Sequence, residues 1–336
     1  MANINEIAAL AGVSKATVSN VFTQKKYVSP EVTKKIMEIC DRLNYRPSLL
    51  ASGLATRKTN IIGLFLGNRR NEYYHFYGDL IRAVAMKGDE FGVRPMIYVN
   101  MDDPEKMKRM LTSNAEPIDG AIVLTPAEHD FRIDELQKDR IPFVLIGNPG
   151  EGHDSRIPYV DVDNELTTEE MTTYLTQRGH RRIILVNSQS NLTISNDRLT
   201  GYLKALRKVD IDFDPTLVFN GQNNTESGRQ VAQLILRRSL GATAIVVESD
   251  LTAQGLFEVF AGMGIRIPED MSVVSLGGDS AYLSLTPTLT AALQDYAQLG
   301  ETAVAALNDL LSGAPVSGQY AMIRSRLFEG ASCKDV

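Results

Sequence analysis

The 336-residue sequence has no tryptophan and only two cysteines. Cys40 and Cys333 are too far apart in the chain to form a metal-binding cluster, and so few cysteines are typical of a reducing compartment. No apolar run approaches the length of about 18 residues that indicates a membrane-spanning helix. The first residues, MANINEIAAL, lack the basic segment and long apolar stretch of a secretory signal. These absences predict a cytoplasmic location and no membrane partner.

Motifs of catalysis are also missing. The four histidines, at positions 75, 129, 153 and 180, are scattered, and none belongs to the H-E-x-x-H pair of a zinc enzyme. The sequence has no G-x-S-x-G nucleophile turn, no G-x-x-x-x-G-K-[ST] phosphate loop, and no G-x-G-x-x-G motif after a predicted strand. We therefore expect no catalytic residues, no metal site and no cofactor, and we interpret His180 as structural.

Charge is distributed unevenly along the chain. Residues 1–58 contain nine lysines and arginines against four acidic residues, a net charge of +5, whereas the remaining 278 residues carry a net charge of −11. A small basic segment joined to an acidic body favours a module that binds a polyanion such as DNA. A solvated basic surface without a partner is the alternative that charge alone leaves open.

The stretch LAGVSKATVSNVF, residues 10–22, has one glycine between two segments with helical apolar spacing. Gly12 allows the backbone to turn through positive φ without a Cβ penalty. Ser14 is a candidate N-cap of the second helix. Ala8 is small enough for two helices to cross closely, and Val18 is an apolar plug between them. This spacing is typical of a helix-turn-helix, whose second helix enters the major groove of DNA.

The second helix should present a polar face, and a third helix should complete the head. The residues expected on that outward face are Lys15, Ala16, Thr17, Ser19 and Asn20. The third helix is predicted from Ser29-Pro30-Glu31, which supplies an N-cap, a proline at the first position and an acid in the first turn. It should end near Asn44, because Arg46-Pro47 disfavours helix there.

The rest of the chain alternates short apolar runs with amphipathic segments. The runs predicted as strands are 61–66, 95–99, 119–124, 142–146, 182–187, 243–247 and 271–276. This alternation is typical of βαβ units and of parallel sheets buried on both faces. The pattern pauses over 147–163, which predicts two lobes, and a ligand of such a fold binds beyond the carboxyl ends of the strands.

Several runs together resemble the LacI/GalR (lactose/galactose repressor) family. They are INEIAALAGVSKATVSNVF, VSPEVTKKIMEICDRLNYRPSLLASGLATRKTNIIG, GHRRIILV, DRLTGYLKAL, ESDLTAQGLFEVFAGMGIRIPEDMSVVS and TPTLTAALQDYAQLGETAVAAL. The resemblance implies an all-α helix-turn-helix head and an α/β body. The body would have two lobes with parallel sheets, like a periplasmic binding protein, and three crossovers between the lobes, near residues 160, 288 and 320.

The resemblance also implies a division of the chain. The expected parts are a helix-turn-helix domain over 1–46, a hinge helix or linker over 47–59, and an effector-binding and dimerisation domain over 60–336. Within the last part, lobe 1 is expected at about 60–160 and 289–319, and lobe 2 at about 161–288 and 320–330. From its residues alone, segment 48–56 is a short linker. In the family it is a hinge helix that wedges a leucine, here Leu54, into the minor groove, with Ala51 one turn earlier.

The DNA-binding residues implied are Ser14, Lys15, Ala16, Thr17, Ser19, Asn20, Tyr27, Ser29, Ala51 and Leu54. Asn20 stands where many relatives have arginine. Arginine pairs with guanine and asparagine with adenine, so we expect an altered operator half-site. Lys15 and Ala16 are the other candidate base readers, and Thr17, Tyr27 and Ser29 are expected on phosphates.

The effector-binding residues implied are Tyr74, Phe76, Asn148, Arg198, Asp250, Gln294 and Tyr296. Arg198, in DRLTGY, matches a family arginine that grips sugar hydroxyls or a carboxylate, and a surface salt bridge is the alternative. The three aromatic residues could instead belong to the core. Gly277-Gly278 replaces an acidic pair of the family, and the strings IPFVLIGNP and SNDRLTGY resemble maltose-type repressors.

The predicted function is that of a sequence-specific, DNA-binding transcriptional repressor controlled by a small effector. The resemblance implies a homodimer on near-palindromic double-stranded operator DNA, with a mono- or disaccharide bound between the lobes. The final residues, RSRLFEGASCKDV, contain no leucine heptads, which favours a dimer over a tetramer. The alternative is a cytoplasmic sugar-binding protein or a sugar-acting enzyme without DNA binding.

Overall fold

The structure is a computed structural model that describes residues 3–23, 26–45, 58–67, 75–99, 103–112, 117–278 and 285–336. The chain forms two compact units, Met1–Asn60 and Ile61–Val336, which we call the head and the body. Within the described ranges, no helix is both long enough and apolar enough to cross a membrane.

The head contains the three predicted helices, α1 (Ile4–Ala11), α2 (Lys15–Thr23) and α3 (Pro30–Arg42). Caps fix where they begin: the Asn3 side chain accepts from two backbone N–H groups of α1, and Ser29 Oγ accepts from Val32 N at the start of α3. The apolar faces meet in one small core, whose buried members are Ile7, Ala8, Ala11, Val18, Ile36, Ile39 and Cys40. Cys40 is therefore a core residue of the head.

The body alternates strands and helices along the chain. Its strands are β1 (Ile61–Phe65), β2 (Arg94–Tyr98), β3 (Gly120–Leu124), β4 (Phe143–Ile146), β5 (Tyr159–Val162), β6 (Ile183–Asn187), β7 (Val218–Asn220), β8 (Ala244–Val247), β9 (Ser272–Gly278), β10 (Thr290–Leu293), β11 (Gln319–Ile323) and β12 (Arg326–Phe328). Its described α-helices are α4 (His75–Glu90), α5 (Pro104–Thr112), α6 (Phe131–Lys138), α7 (Asn164–Gln177), α8 (Thr193–Arg207), α9 (Thr225–Arg238), α10 (Asp250–Gly262) and α11 (Tyr296–Leu311).

Two six-stranded sheets define the two lobes. The sheet of lobe 1 has the order β11-β5-β4-β3-β1-β2, and the sheet of lobe 2 has the order β12-β10-β9-β8-β6-β7. Helices cover both faces of each sheet: α4 and α11 face α5 and α6 across the first, and α9 and α10 face α7 and α8 across the second. Burial on both faces explains why strands such as β3 and β8 are continuously apolar.

The predicted architecture, an α-helical head and a two-lobed α/β body, is confirmed. Strand pairs among the described residues are parallel except β10 with β12, which is antiparallel. The expected lobe boundaries need correction by a few residues. Residues 161–162 and 320–323 lie in the sheet of lobe 1, and 290–293 lie in the sheet of lobe 2. The crossovers between the lobes lie at the carboxyl ends of β5, β10 and β11, so the chain completes each of these strands before it changes lobe.

Candidate functional site

The turn between α1 and α2 has the geometry that its sequence predicts. Gly12 has a φ of +70°, in the left-handed region, and its N–H bonds the end of α1. Val18 is fully buried and Ala8 nearly so, and they pack in the same core. The turn therefore directs one side of α2 into the head and leaves the other side outward, as in a helix-turn-helix.

Hydroxyl groups cap the start of α2. The backbone N–H of Thr17 donates to Ser14 Oγ at 3.0 Å, and the two hydroxyl oxygens lie 2.9 Å apart. Ser14 therefore satisfies a backbone donor that the first turn of a helix leaves open, as predicted.

The outward side of α2 carries most of the proposed DNA-contacting residues. Ser14, Lys15 and Ala16 are exposed, and Thr17, Ser19 and Asn20 are half-buried. Positions 15, 16, 19 and 20 share one side of the helix, opposite Val18. Tyr27, in the loop before α3, is 89% exposed, whereas Ser29 is half-buried and engaged in the cap of α3. The head thus presents a polar helix surface that carries Lys15, and the major groove of DNA admits an α-helix.

In the body, Asn148 lies between two carboxylates from different lobes. Its loop follows β4 in lobe 1. Its backbone N–H donates to Asp161 Oδ2 on β5 at 3.1 Å, and its Nδ2 donates to Asp197 Oδ2 on α8 of lobe 2 at 2.6 Å. Asp161 also accepts from Val162 N at 2.7 Å and from Asn164 Nδ2 at 3.2 Å. One side chain therefore joins the two lobes at the carboxyl ends of their strands.

Arg198 belongs to the same cluster. It is only 6% exposed, and its Nη1 donates to Ser188 Oγ, just after β6, at 2.7 Å. Its positive charge lowers the pKa values of both Asp161 and Asp197. The alternative of a surface salt bridge is wrong, because the guanidinium is buried at the junction of the lobes.

The two carboxyl groups are nevertheless weak acids here. Burial, followed by repulsion from Asp197, raises the pKa of Asp161 to about 7. Burial, followed by repulsion from Glu165, raises the pKa of Asp197 to about 6. Near neutral pH the cluster therefore titrates, whereas ordinary carboxyl groups are fully ionised.

A second group of polar residues follows strands of lobe 2. A Cβ built on Gly277 would lie 3.4 Å from the carbonyl oxygen of Glu248 and 3.8 Å from the Tyr296 hydroxyl. Asp250 begins α10 and is buried, and Gln294 Nε2 donates to the Leu276 carbonyl at 2.8 Å. The ring of Tyr296 packs on the core of lobe 1, which supports the core interpretation left open for it.

Some predicted site residues lie outside the part of the chain that the structure describes. Ala51, Leu54 and Tyr74 are not among the described residues, and for Phe76 only the backbone, in α4, is described. No group of three or more histidine, cysteine, aspartate or glutamate side chains in the described ranges is arranged to hold a metal ion.

Sequence reasoning missed four polar residues of these groups. They are Asp161, Ser188, Asp197 and Glu248. Glu248 is buried after β8 and accepts from Asn223 N at 2.8 Å and from the Thr252 hydroxyl at 3.2 Å. The available signals were their positions: Ser188 and Glu248 each follow an apolar run, and Asp197 directly precedes the arginine of its motif.

Comparison with known proteins agrees with both units. Residues 3–48 match the family described as bacterial regulatory proteins, lacI family, and residues 172–333 match a periplasmic binding protein-like domain. Catabolite control protein A of Streptococcus mutans is 30% identical over 310 residues, which cover 92% of this chain and 91% of that protein. The chain belongs to the LacI family. The resemblance identified from its motifs is thereby confirmed.

Solved structures resemble this LacI-family chain along nearly its whole length. A complex of the transcriptional regulator CelR with cellobiose is 25% identical, with a TM-score of 0.76 over 99% of this chain and 100% of the other. A lac repressor dimer bound to operator and the anti-inducer ONPF is 24% identical, with a TM-score of 0.85 over 99% of each chain. The second likeness concerns the fold alone. All three relatives are named as regulatory proteins.

Proposed function

We propose that this LacI-family chain is a cytoplasmic transcriptional repressor without enzymatic activity. It binds double-stranded operator DNA through its head and a small sugar through its body. The observation that carries the proposal is the helix-turn-helix: Gly12 in the left-handed region, Val18 buried, and a polar surface of α2 directed outward. The head also has a net positive charge, which suits a polyanion.

Each part of the head has a proposed role. Lys15, Ala16 and Asn20 read base edges in the major groove, and Asn20 prefers adenine because its amide Nδ2 can donate to adenine N7 while its Oδ1 accepts from the N6 amino group in one plane. Thr17, Tyr27 and Ser29, helped by Ser14 and Ser19, position the head on phosphates. On the family resemblance alone, segment 47–59 is the hinge, with Leu54 as its wedge and Ala51 beside it.

The proposed assembly is a homodimer on a near-palindromic operator. One head reads one half-site, so a twofold-symmetric pair of heads matches a twofold-symmetric DNA sequence. The proposed domains are 1–46, 47–59 and the body from residue 60, with the lobe boundaries corrected as above.

The proposed effector is a mono- or disaccharide between the lobes. Arg198, Asn148, Gln294 and Asp250 lie at or near the carboxyl ends of strands, where their polar groups suit sugar hydroxyls. We include Tyr74, Phe76 and Tyr296 as candidate contacts on the resemblance. Cellobiose bound to the similar regulator CelR supports a sugar. Effector binding would change the lobe geometry and, through it, operator affinity.

Titration of DNA binding against salt tests the nucleic-acid role. If lysines of the head neutralise phosphates, the logarithm of affinity falls linearly with the logarithm of salt concentration. We expect a steep loss of affinity between low and physiological salt. Flat binding, or no binding, would leave the alternative of a sugar-binding protein or sugar-acting enzyme.

Thermal unfolding with a panel of mono- and disaccharides tests the effector role. A sugar that binds the folded body raises its unfolding temperature. Arg198→Ala should remove that rise while the variant still binds DNA. An unchanged dissociation constant for the sugar in this variant would exclude Arg198 from the site.

A further inference from the structure

The two lobes touch along one edge of the body through a short set of hydrogen bonds. Glu128 N donates to the Asn191 carbonyl at 2.9 Å, and Asn196 Nδ2 donates to Glu128 Oε1 at 3.0 Å. Ala127 and Leu192 form an isolated antiparallel bridge. We call this set, together with the bond between Asn148 and Asp197, the clasp. It can form only when the lobes are closed along this edge.

The loop of lobe 1 that enters the clasp is held rigidly. Thr125 and His129 have φ values of +49° and +55°, which are unusual for residues other than glycine. Asp130 and Arg132 form a buried ion pair, and Arg132 Nη2 also donates to the Leu124 carbonyl at 3.1 Å. Conformations of this kind are retained where the surrounding structure fixes them, often at ligand clamps.

The clasp also brings like charges together. Asp197 arrives from lobe 2 and Asp161 from lobe 1, and the charge of Asp197 helps burial to raise the pKa of Asp161. The acids that also face Asp197 are Glu165 and Asp163 at the start of α7, and Arg198 is the attractive charge beside it. Burial, followed by the charges of both carboxylates, raises the pKa of Tyr159 on β5. Lys204 forms an ion pair with Glu165.

We propose that Asp197 is a positioning residue that orients Asn148 across the lobes, and that its ionisation opposes closure of the clasp. When the carboxyl group of Asp197 is neutral, its carbonyl oxygen still accepts from Asn148 Nδ2, but the repulsion between Asp197 and Asp161 of the other lobe disappears. Glu165 belongs to the same lobe as Asp197, so its repulsion does not depend on closure. Closure therefore takes up a proton, and acidification stabilises the closed cleft. The proposal rests on the proposed function only in treating the cleft as the effector site.

The direction of this pH dependence follows from the difference in proton binding between the closed and the open clasp. Asp197 has a pKa of about 6 in the closed clasp. An open cleft returns this side chain towards water and away from Asp161, whereas Glu165 and Asp163 of the same lobe stay beside it. The pKa of Asp197 therefore falls part of the way towards the ordinary value for aspartate, and the closed form binds more protons between the two values. From pH 7.5 to 5.5, the ratio of closed to open clasp should rise by up to about fourfold through Asp197 alone.

Hydrogen exchange of the full-length chain without an effector measures this ratio. The amide of Glu128 is bonded to the other lobe, so its exchange reports opening of the clasp. The amide of Leu145, bonded to the Pro158 carbonyl within lobe 1, is the internal reference. After correction for intrinsic exchange rates, we expect the protection of Glu128 relative to Leu145 to rise from pH 7.5 to 5.5, by up to about fourfold.

Two variants separate charge from structure. Asp197→Asn keeps the size and the acceptor oxygen, and it should give high protection at both pH values with no rise. Asp212→Asn removes an exposed acid of the same lobe and should keep the rise. The proposal would be overturned if the protection of Glu128 relative to Leu145 in the wild type were independent of pH, or if it rose equally in Asp197→Asn. Neither result depends on whether a sugar or DNA binds.

Discussion

Ser14 Oγ accepts a hydrogen bond from the backbone N–H of Thr17 at 3.0 Å, and this bond begins the helix that we propose reads DNA. The two residues are three apart, the spacing of an N-cap and its partner. The same serine is exposed on the outward side of the head, so its capping role and its proposed contact with DNA can be separated by substitution.

Ser14→Ala should weaken α2. Loss of an N-cap costs about 1 kcal/mol of helix stability, so we expect faster hydrogen exchange of the Thr17 and Val18 amides in the full chain and weaker binding to all DNA sequences. Ser14→Asp is the matched control, because it retains a capping oxygen but repels phosphate. Its Thr17 and Val18 amides should exchange as in the wild type, but it should bind DNA more weakly than the wild type does. Unchanged exchange in Ser14→Ala would contradict the capping role.

Gly12 should tolerate asparagine better than valine. A Cβ at this position would meet no atom within 4 Å, so a substitution is penalised by the positive φ and not by crowding. Asparagine enters the left-handed region readily, whereas a β-branched residue is strained there. We expect Gly12→Val to lose roughly 1–2 kcal/mol of head stability or more, and Gly12→Asn to lose less. Exchange of the α1 and α2 amides in both variants measures the difference, and equal losses would exclude φ as the cause.

Local sequence signals were sufficient to predict the helices of the head and most of the secondary structure of the body. Gly12, Val18 and the Ser29-Pro30 start of α3 each act on their immediate neighbours, so spacing along the chain predicts them. The strands that pattern reading missed, including β5, β10 and β12, are short. Their pairing depends on residues distant in sequence, such as β11 beside β5, and no local period encodes it.

The candidate effector cluster was predicted only in part, for a similar reason. Arg198 and Asn148 could be named from their motifs, but the bond between Asn148 and Asp197 joins residues 49 apart in different lobes. Asp161 looks like an ordinary polar position in a strand until β11 and the Asn148 loop bury it. The pKa values that result depend on burial and on charges from both lobes, which only the folded body brings together.

His180 should make the body less stable in acid. The side chain is fully buried, with Nδ1 2.8 Å from the Thr243 hydroxyl and Nε2 3.2 Å from the Lys334 carbonyl oxygen, and burial lowers its pKa. Below the ordinary histidine pKa, the unfolded chain takes up a proton that the folded body does not, so the free energy of unfolding falls as the pH falls. The free energy of unfolding decreases over the pH range between the pKa of His180 in the unfolded chain and its lowered pKa in the folded body.

Denaturant unfolding of the wild type and of His180→Asn at pH 7.5 and 5.5 measures this effect. The variant should be less stable at pH 7.5, by about 1–3 kcal/mol, because buried partners of the imidazole lose their hydrogen bonds. The difference between the two proteins should shrink at pH 5.5. The raised pKa values of Asp161 and Asp197 act with the opposite sign, but they are common to both proteins and cancel in the difference. A difference independent of pH would show that His180 titrates alike in both states.

Asn20→Arg should change which base the head prefers. Asparagine pairs with adenine through two hydrogen bonds and arginine pairs with guanine, so the preference at one half-site position should shift by about 1–3 kcal/mol. Thr17→Ala, at a neighbouring position that we propose contacts phosphate, should instead weaken binding to all sequences evenly. Equal weakening on all sequences by Asn20→Arg would mean that Asn20 does not read a base.

Selection of binding sites from random double-stranded DNA by the full-length chain tests the central claim most directly. Sequence-specific reading by a pair of heads predicts enrichment of a near-palindrome, with adenine at one position of each half-site that becomes guanine when the selection is repeated with Asn20→Arg. Enrichment of no sequence at low salt, or the same sequence from both proteins, would contradict the claim that α2 reads DNA.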